Sequence, residues 1–166
     1  MMSEPVHDPV SRTHYAFEPD GESLIVYTRM EPGGALPPHM HPAQEERWSV
    51  VEGRVRFQLG DDKRVIGPED GEIVVRADTT HGLQAVDDHD ARLKCIVTPA
   101  LRLQQFLEES AAAARDGMFM RGGIPRGLRG ARWAARFLKR YEDETVMRFP
   151  PRPVQRLLTA LLARHG

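Results

Sequence analysis

The first hundred residues are built from short apolar runs separated by turn-forming residues. Ser23–Met30 is rich in β-branched side chains and ends at the turn signal EPGG. Similar runs follow at Glu72–Ala77, His81–Val86 and Ala91–Pro99. Two further alternating runs meet at Glu52-Gly53 and are interpreted as a hairpin. Runs this short, without helical periodicity, predict a small antiparallel β-barrel or sandwich over residues 1–100.

The hydrophobic period changes after Leu101. Leu101, Leu103, Phe106 and Leu107 begin a predicted helix that ends near Asp116-Gly117. A second apolar stripe runs from Trp133 to Tyr141, and a third runs from Val154 to Leu162 after the helix-start signal PPRP. Residues 101–166 are therefore predicted to form a three-helix extension. Its stripes need a cover, which is either the barrel or a second subunit.

Charge divides the chain at the same place. Residues 1–98 carry 10 basic and 18 acidic side chains, whereas residues 99–166 carry 13 and 6, although the net charge of the whole chain is only −1. Such a division predicts two segments with different roles, or two that attract each other. With 166 residues of which 40% are hydrophobic, the chain can bury one good core.

Targeting and redox features predict a cytoplasmic protein. The stretch MMSEPVHDPV is polar and does not resemble a signal peptide, and no apolar run approaches the roughly 18 residues of a membrane-spanning helix. Cys95 is the single cysteine, so no internal disulfide can form, which fits a reducing compartment.

The stretch PPHMHPAQEERW, residues 37–48, predicts a metal site. Residues i and i+2 of a strand face the same side, so His39 and His41 point inward together. Glu46 opens the next strand and His81 begins another, which would bring three imidazoles and a carboxylate together. Such nitrogen and oxygen donors suit Fe, Mn, Ni, Co or Zn. Glu45 competes with Glu46 for the carboxylate position, and a polar turn with incidental histidines is the non-functional interpretation.

These residues resemble the cupins, a family of small antiparallel β-barrels. The first cupin motif, G-x5-H-x-H-x3–4-E-x6-G, is matched without a gap by Gly33, His39, His41, Glu46 and Gly53. The resemblance covers roughly residues 20–99. It implies one divalent transition metal per chain held by His39, His41, Glu46 and His81, and it implies a homodimer, which is usual for the family.

The second cupin motif, G-x5-P-x-G-x2-H-x3-N, is degraded. Gly71 stands one place late, Arg76 replaces the proline, Asp78 replaces the second glycine and Ala85 replaces the asparagine. His81 stays at the ligand position. Since Asp adopts the left-handed backbone conformation more readily than most residues, we expect Asp78 to keep the turn.

Four side chains are predicted to line the barrel interior around the site: Thr28, Trp48, Phe57 and Cys95. Ordinary core packing is the alternative for each of them, and a buried Cys95 has no base beside it in the sequence that would make it a nucleophile. The remaining histidines, His7, His14, His89 and His165, are expected to be solvated.

The basic extension allows a nucleic-acid interpretation that we do not favour. Arginines at 126, 129, 132, 136 and 140 repeat at helical spacing, as in a phosphate-binding stripe. No readable nucleic-acid-binding module accompanies them, so a helix with a solvated arginine face is the preferred interpretation. Membrane association through the last helix is also disfavoured, because its polar face carries few charges.

Two functional hypotheses remain open on the sequence. The first is a metal-dependent enzyme, similar to a dioxygenase or an isomerase or cyclase, acting on a small organic acid, enol or aromatic with Glu46 as proton acceptor. The second is a non-catalytic small-molecule or metal-sensing protein whose helical extension contacts a partner. Neither substrate nor metal follows from the sequence.

Overall fold

The computed structural model describes residues 1–147, together with Pro153 and Ala160. Thirteen strands and two α-helices are assigned within this part of the chain. The strands are β1 Val6–Asp8, β2 Thr13–Asp20, β3 Ser23–Met30, β4 Ala35–Met40, β5 Glu45–Glu52, β6 Val55–Leu59, β7 Asp62–Ile66, β8 Glu72–Val75, β9 His81–Ala85, β10 Ala91–Thr98, β11 Phe119–Met120, β12 Ile124–Pro125 and β13 Val146–Met147. The helices are α1 Leu103–Arg115 and α2 Gly127–Arg140.

Two antiparallel sheets face each other and enclose the core. The first sheet has the order β1-β2-β3-β10-β5-β8, and the second has the order β13-β4-β9-β6-β7. Burial alternates along β3 and β10, as expected for strands with one face toward a core. Inward side chains such as Phe17, Trp48, Phe57 and Val97 form one hydrophobic cluster between the sheets. The predicted fold class, a mainly β barrel followed by helices, is confirmed.

The predicted hairpin at Glu52-Gly53 is wrong. Strand β5 pairs with β10 and β8 in the first sheet, whereas β6 pairs with β7 and β9 in the second. Gly53, at φ +75°, carries the chain from one sheet to the other, and a Cβ there would lie 3.0 Å from the Ala91 Cα. The tight hairpin joins β6 to β7 instead. The prediction failed because an alternating pattern identifies a strand but does not identify its partner.

Two N-terminal strands were not predicted. Strands β1 and β2 pair with each other, and β2 continues the first sheet through β3. Their residues include prolines, histidines and acidic side chains, so the apolar alternation that marks the other strands is weak there. Asp78 adopts φ +60°, so the expected left-handed conformation at the degraded glycine position is confirmed.

The helical extension packs on the barrel through apolar side chains. Leu103 belongs to the core cluster, and Phe106 packs against it. The Phe106 ring lies 4.9 Å from the Phe137 ring of α2 and 5.5 Å from the Tyr141 ring. The third predicted helix, Val154 to Leu162, lies outside the described residues except for Ala160, which is helical, as is Pro153.

The predicted electrostatic attraction between the two segments is not expressed as ion pairs. The salt bridges that the structure describes lie within one segment or the other, for example Arg29 with Asp90 in the barrel and Arg140 with Glu109 in the extension. Apolar contacts and hydrogen bonds, including the pairing of β13 with β4, therefore join the described part of the extension to the barrel.

Candidate metal centre

Three histidines meet on the inner face of the second sheet. His39 of β4 is directly opposite His81 of β9, and their ring centroids are 4.3 Å apart. His41 follows β4, with its ring 5.0 Å from His39 and 5.4 Å from His81. One ligand nitrogen from each ring lies within 4.8 Å of the others. His41 and His81 are buried and His39 is half-buried, so this triad is a candidate metal site.

Each ring is oriented by a backbone carbonyl. His39 Nδ1 lies 2.8 Å from the Pro37 carbonyl oxygen, His81 Nδ1 lies 3.1 Å from that of Thr79, and His41 Nδ1 lies 2.7 Å from that of Glu144. Because a carbonyl oxygen only accepts, each Nδ1 carries the proton and donates. The lone pair of each neutral ring is then on Nε2, which is the arrangement that metal-ligating histidines adopt.

Glu46 contacts two of the three rings. Its Oε1 lies 3.1 Å from His41 Nε2, and its Oε2 lies 2.8 Å from His81 Nε2. Trp48 Nε1 donates a hydrogen bond of 2.7 Å to Oε2. Both imidazole nitrogens are buried, and despite these short distances neither makes a well-aligned hydrogen bond. With the proton of each ring on Nδ1, lone pairs of nitrogen and oxygen would face each other at these distances, an arrangement that a cation between them would relieve. The three imidazoles form the cluster that could hold a cation, and Glu46 lies beside it.

Burial and mutual proximity shift the pKa values of these groups. Burial lowers the pKa of His39 to about 3, and the neighbouring His81 and His41 add to the effect. Burial alone would also lower the pKa of His41, but its contact with Glu46 outweighs burial and raises it. Burial alone would raise the pKa of Glu46, yet His41 and His81, in their protonated form, hold it well below its usual range. Glu46 is thus an anion, and a neutral His39 is available as a donor.

The site opens into a cavity of about 1080 Å³ between the barrel and the helical extension. His39, His41 and Glu46 lie on its wall, as do three of the four residues predicted to line the interior, Thr28, Trp48 and Cys95. Phe57 is in the core, edge-on to Trp48 with the ring centroids 6.5 Å apart, and does not belong to the described lining. Burial and the nearby Glu46 raise the pKa of the Cys95 thiol well above its usual value, so it is a poor nucleophile.

The structure separates the two glutamates that competed for the carboxylate position. Glu46 is buried beside the triad, whereas Glu45 is half-buried and accepts a salt bridge of 2.9 Å from Arg47. Strand parity, which places Glu46 with Trp48 on the inner face, was the signal in the sequence that distinguished them.

Sequence reasoning missed two parts of the arrangement. The carbonyl that orients His41 comes from Glu144, which is 103 residues away and carries no motif. A second histidine cluster was also missed, because His7 and His14 were expected to be solvated. Their rings stack at 4.2 Å across β1 and β2, and His14 Nε2 is 2.9 Å from Glu31 Oε1. Strand pairing of β1 with β2 is what brings the two rings together, and those strands were not predicted.

Comparison with known proteins identifies the domain. A family model described as "Cupin domain" matches residues 26–97, which include the two histidines of the first motif, Glu46 and His81. The fold resembles KdgF from Halomonas sp., with 18% identity, a TM-score of 0.53, and coverage of 61% of this chain and 91% of that one. An RmlC-like cupin from Shewanella frigidimarina gives 18% identity and a TM-score of 0.52, covering 60% of this chain and 86% of that one.

The chain therefore contains a cupin domain, a two-sheet β-barrel with a candidate histidine metal site. Among curated relatives, an oxidoreductase of Arthrobotrys oligospora is 27% identical over 141 residues, covering 71% of this chain and 56% of the relative. The oxidoreductase OpS7 of Beauveria bassiana is 32% identical over 78 residues, covering 42% of this chain and 26% of the relative. The alignments thus span about half of the first relative and about a quarter of the second. Within the described residues, no helix is long and apolar enough to cross a membrane.

Proposed function

We propose that this cupin is a metal-dependent oxidoreductase acting on an oxygen-bearing organic molecule in the cavity beside the triad. The observation that carries the proposal is the set of three imidazoles, each donating its Nδ1 proton to a backbone carbonyl and each presenting Nε2 to the others. The names of the relatives support the reaction class, although those proteins extend well beyond the aligned segment.

Glu46 has two roles in this proposal. It is the fourth donor, because its oxygens lie 3.1 and 2.8 Å from His41 and His81. It is also the base nearest to a substrate oxygen at the metal, since the carboxylate is ionised and Trp48 fixes its Oε2 by a hydrogen bond.

The bound metal, when present, supplies Lewis acidity toward a substrate oxygen and, for iron, redox chemistry. The chain supplies the rest of the environment. The apolar wall of the cavity excludes water from the bound molecule, and His39, the most accessible of the three rings, lies on that wall. Iron, manganese, nickel and zinc all fit a donor set of imidazoles and carboxylate.

The second candidate function is a non-catalytic binding or sensing protein. The observation in its favour is the predominantly apolar character of the described cavity wall. A homodimer and a cytoplasmic location, predicted from the sequence, accompany both candidates as proposals.

Elemental analysis of the untagged chain, purified without chelator, tests the metal site. We expect near-stoichiometric metal in the wild type and in the control His89→Ala, whose side chain is 61% exposed. His81→Ala and Glu46→Ala should lose most of it. A wild type that carries no metal, and gains none on incubation with Fe²⁺, Mn²⁺, Ni²⁺ or Zn²⁺, would overturn the proposal.

Oxygen consumption by metal-loaded protein then separates the two candidates. Substrate-dependent consumption in the wild type, lost in His81→Ala, supports the oxidoreductase. Stoichiometric metal with no turnover across aromatic, enol and organic-acid panels would favour the binding protein.

A further inference from the structure

The cavity beside the triad is larger than a simple organic acid requires. Its volume of about 1080 Å³ slightly exceeds the roughly 300–1,000 Å³ that is typical for pockets that bind drug-sized ligands. A two-carbon or three-carbon acid would leave most of this space filled with water against apolar walls, an unfavourable arrangement. The volume therefore calls for a bulky ligand.

The volume exists because the helices present small side chains. Ala114 of α1 and Ala131 and Ala134 of α2 line the cavity, as does Ser110 of α1. Larger side chains at these positions would fill the space between the helices and the barrel. The extension therefore forms one wall of the cavity and keeps it open.

The remaining wall is apolar and rich in rings. Tyr15 and Trp48 contribute from the barrel, and Phe106, Phe119 and Phe137 contribute from the extension. Aromatic side chains stack favourably on planar apolar ligands. Trp48 is 5% exposed and Phe137 is 8% exposed, so their positions are fixed by packing rather than by a ligand.

Polar groups on the described wall are confined to a few places. His39, His41 and Glu46 form one group, and Asp8, Ser11 and Arg12 form another near the β1–β2 turn. The other polar side chains of the described lining are Thr28, Ser110, Arg121 and Thr145. Asp8 already accepts hydrogen bonds from the Val10 and Ser11 backbone, and Arg12 pairs with Glu31 at 3.6 Å. The metal site is the polar group at the barrel end of the cavity, and the proposed metal function directs an oxygen atom of a bound molecule there.

We propose that the cavity binds an aromatic molecule of two or three fused rings carrying one hydroxyl or carboxylate oxygen, with that oxygen directed to the histidine triad and the rings between Trp48 and the helices. The orientation of the oxygen depends on the proposed metal function, whereas binding of the rings does not. The extension is then part of the ligand site rather than a support for the barrel.

Isothermal titration calorimetry with 9-anthracenecarboxylate as the probe tests this assignment, with oxalate as the small-acid comparison. The wild type should bind 9-anthracenecarboxylate at least tenfold more tightly than oxalate. Ala134→Trp and Ser110→Trp place bulk on the cavity wall from each helix and should weaken probe binding at least tenfold. Ala112→Trp is the control, since Ala112 is a half-buried residue of α1 outside the described lining.

Metal content, measured on every sample, distinguishes failure of this inference from failure of the proposed function. Stoichiometric metal with oxalate bound more tightly than the aromatic probe would overturn the ligand class and leave the metal site intact. Probe binding by a wild type that carries no metal, and gains none on incubation with Fe²⁺, Mn²⁺, Ni²⁺ or Zn²⁺, would uphold the aromatic cavity and overturn the metal function. Equal weakening by the control and the two wall variants, with circular dichroism unchanged, would also overturn the inference.

Discussion

Asp78 adopts a backbone conformation, φ +60°, that most side chains disfavour. Asp and Asn tolerate this region better than β-branched residues, and glycine tolerates it without cost. We therefore expect Asp78→Val to lower the free energy of unfolding by about 1–2 kcal/mol, and Asp78→Gly to leave it nearly unchanged. Urea denaturation in EDTA measures both without interference from metal.

The exposed Asp88 provides the matched control for this prediction. Asp88→Val introduces the same side chain at a residue without positive φ, so it should change stability by less than about 0.5 kcal/mol. If Asp78→Val proves no worse than Asp88→Val, the strain argument fails.

Glu31 is the residue for which a pH effect follows from the structure. Its hydrogen bond with His14 lowers the carboxyl pKa, against the opposing effect of partial burial, and His7 and Arg12 assist. A folded pKa below the unfolded value means that the ionised carboxylate stabilises the fold above the unfolded pKa. That contribution is lost as the pH falls through the folded pKa.

Replacing Glu31 with glutamine should therefore lower the stability of the fold only at pH values where the Glu31 carboxyl is ionised. At pH 7 in EDTA we expect Glu31→Gln to lower the Tm by at most a few degrees, because the group is partly exposed. The difference from wild type should shrink as the pH falls from about 5 toward 3. A difference that is constant with pH, measured by thermal melts against a Glu69→Gln control, would contradict the assignment.

The donor residues of the site could be predicted from the sequence, whereas their orientation could not. The i, i+2 spacing of His39 and His41 fixes a shared face, and the parity of Glu46 with Trp48 fixes another. The acceptors of the three Nδ1 protons are backbone carbonyls, which have no residue-type signature. The acceptor for His41 comes from a segment after α2, so no local pattern could have revealed it.

At the scale of elements, the short strand β13 connects the extension to the site. It pairs with β4 at Met147 and His39, and the preceding Glu144 supplies its carbonyl to His41. The Glu144 side chain is 2% exposed and accepts hydrogen bonds from the Arg102 backbone N–H at 3.0 Å and from Arg102 Nε at 3.2 Å. The start of α1 thus fixes the position of the Glu144 carbonyl.

Removing the Glu144 carboxylate should therefore weaken metal binding without removing a ligand. Loss of an outer hydrogen-bonding partner typically costs 10–100-fold in metal affinity, and we expect Glu144→Ala to fall near the lower end. Chelator competition measures the Kd. Glu142→Ala, an exposed neighbour on the same turn, is the control and should bind metal like the wild type.

Two outcomes would contradict the role of the Glu144 carboxylate in orienting His41. If Glu144→Ala retains wild-type affinity, the carbonyl is held by β13 pairing alone. If Glu142→Ala weakens binding equally, the effect reflects loss of local charge rather than orientation of His41.

Elements with a strong period were predictable, and elements defined by pairing were not. Strand β3 was predicted with its observed bounds. The predicted start and end of α1 and the predicted end of α2 lie within a few residues of those observed, whereas α2 begins at Gly127, before the predicted Trp133. The partner of β5 was wrong because the turn at Gly53 changes sheets instead of reversing the strand. The two-residue strands β11, β12 and β13 are too short to carry a period at all.

At the scale of the whole molecule, metal should stabilise the fold. Three imidazoles are held together inside the barrel with the Glu46 carboxylate beside two of them, and a ligand that binds only the folded chain raises its stability. At a free metal concentration 100-fold above Kd the gain is about 2.7 kcal/mol, which corresponds to several degrees in Tm for a chain of this size. Differential scanning calorimetry before and after dialysis against EDTA measures it.

The same experiment on His81→Ala provides the contrast. That variant should show a Tm that responds little to either chelator or added metal. A wild-type Tm that is independent of metal, together with stoichiometric binding by elemental analysis, would mean that the unfolded chain binds the ion comparably well.

The β fold of the first hundred residues could be predicted from the sequence, whereas the contribution of the helical extension to the cavity could not. Turn spacing and alternation determine the class of fold, because they constrain every strand in the same way. The cavity depends on three-dimensional placement of alanines that look, in the sequence, like ordinary helix formers. The opposite net charges of the two segments suggested attraction, yet apolar packing and hydrogen bonds, rather than ion pairs, form their described contact.

The hydrogen bond from His41 to the Glu144 carbonyl implies that the segment matched by the family model is shorter than the segment needed to build the metal centre. A barrel excised at residue 97 would keep every imidazole and Glu46, but would leave one ring free to rotate and to exchange tautomers. Transplanting the donor residues onto another barrel would meet the same difficulty. The smallest portable version of this centre includes the chain through Met147.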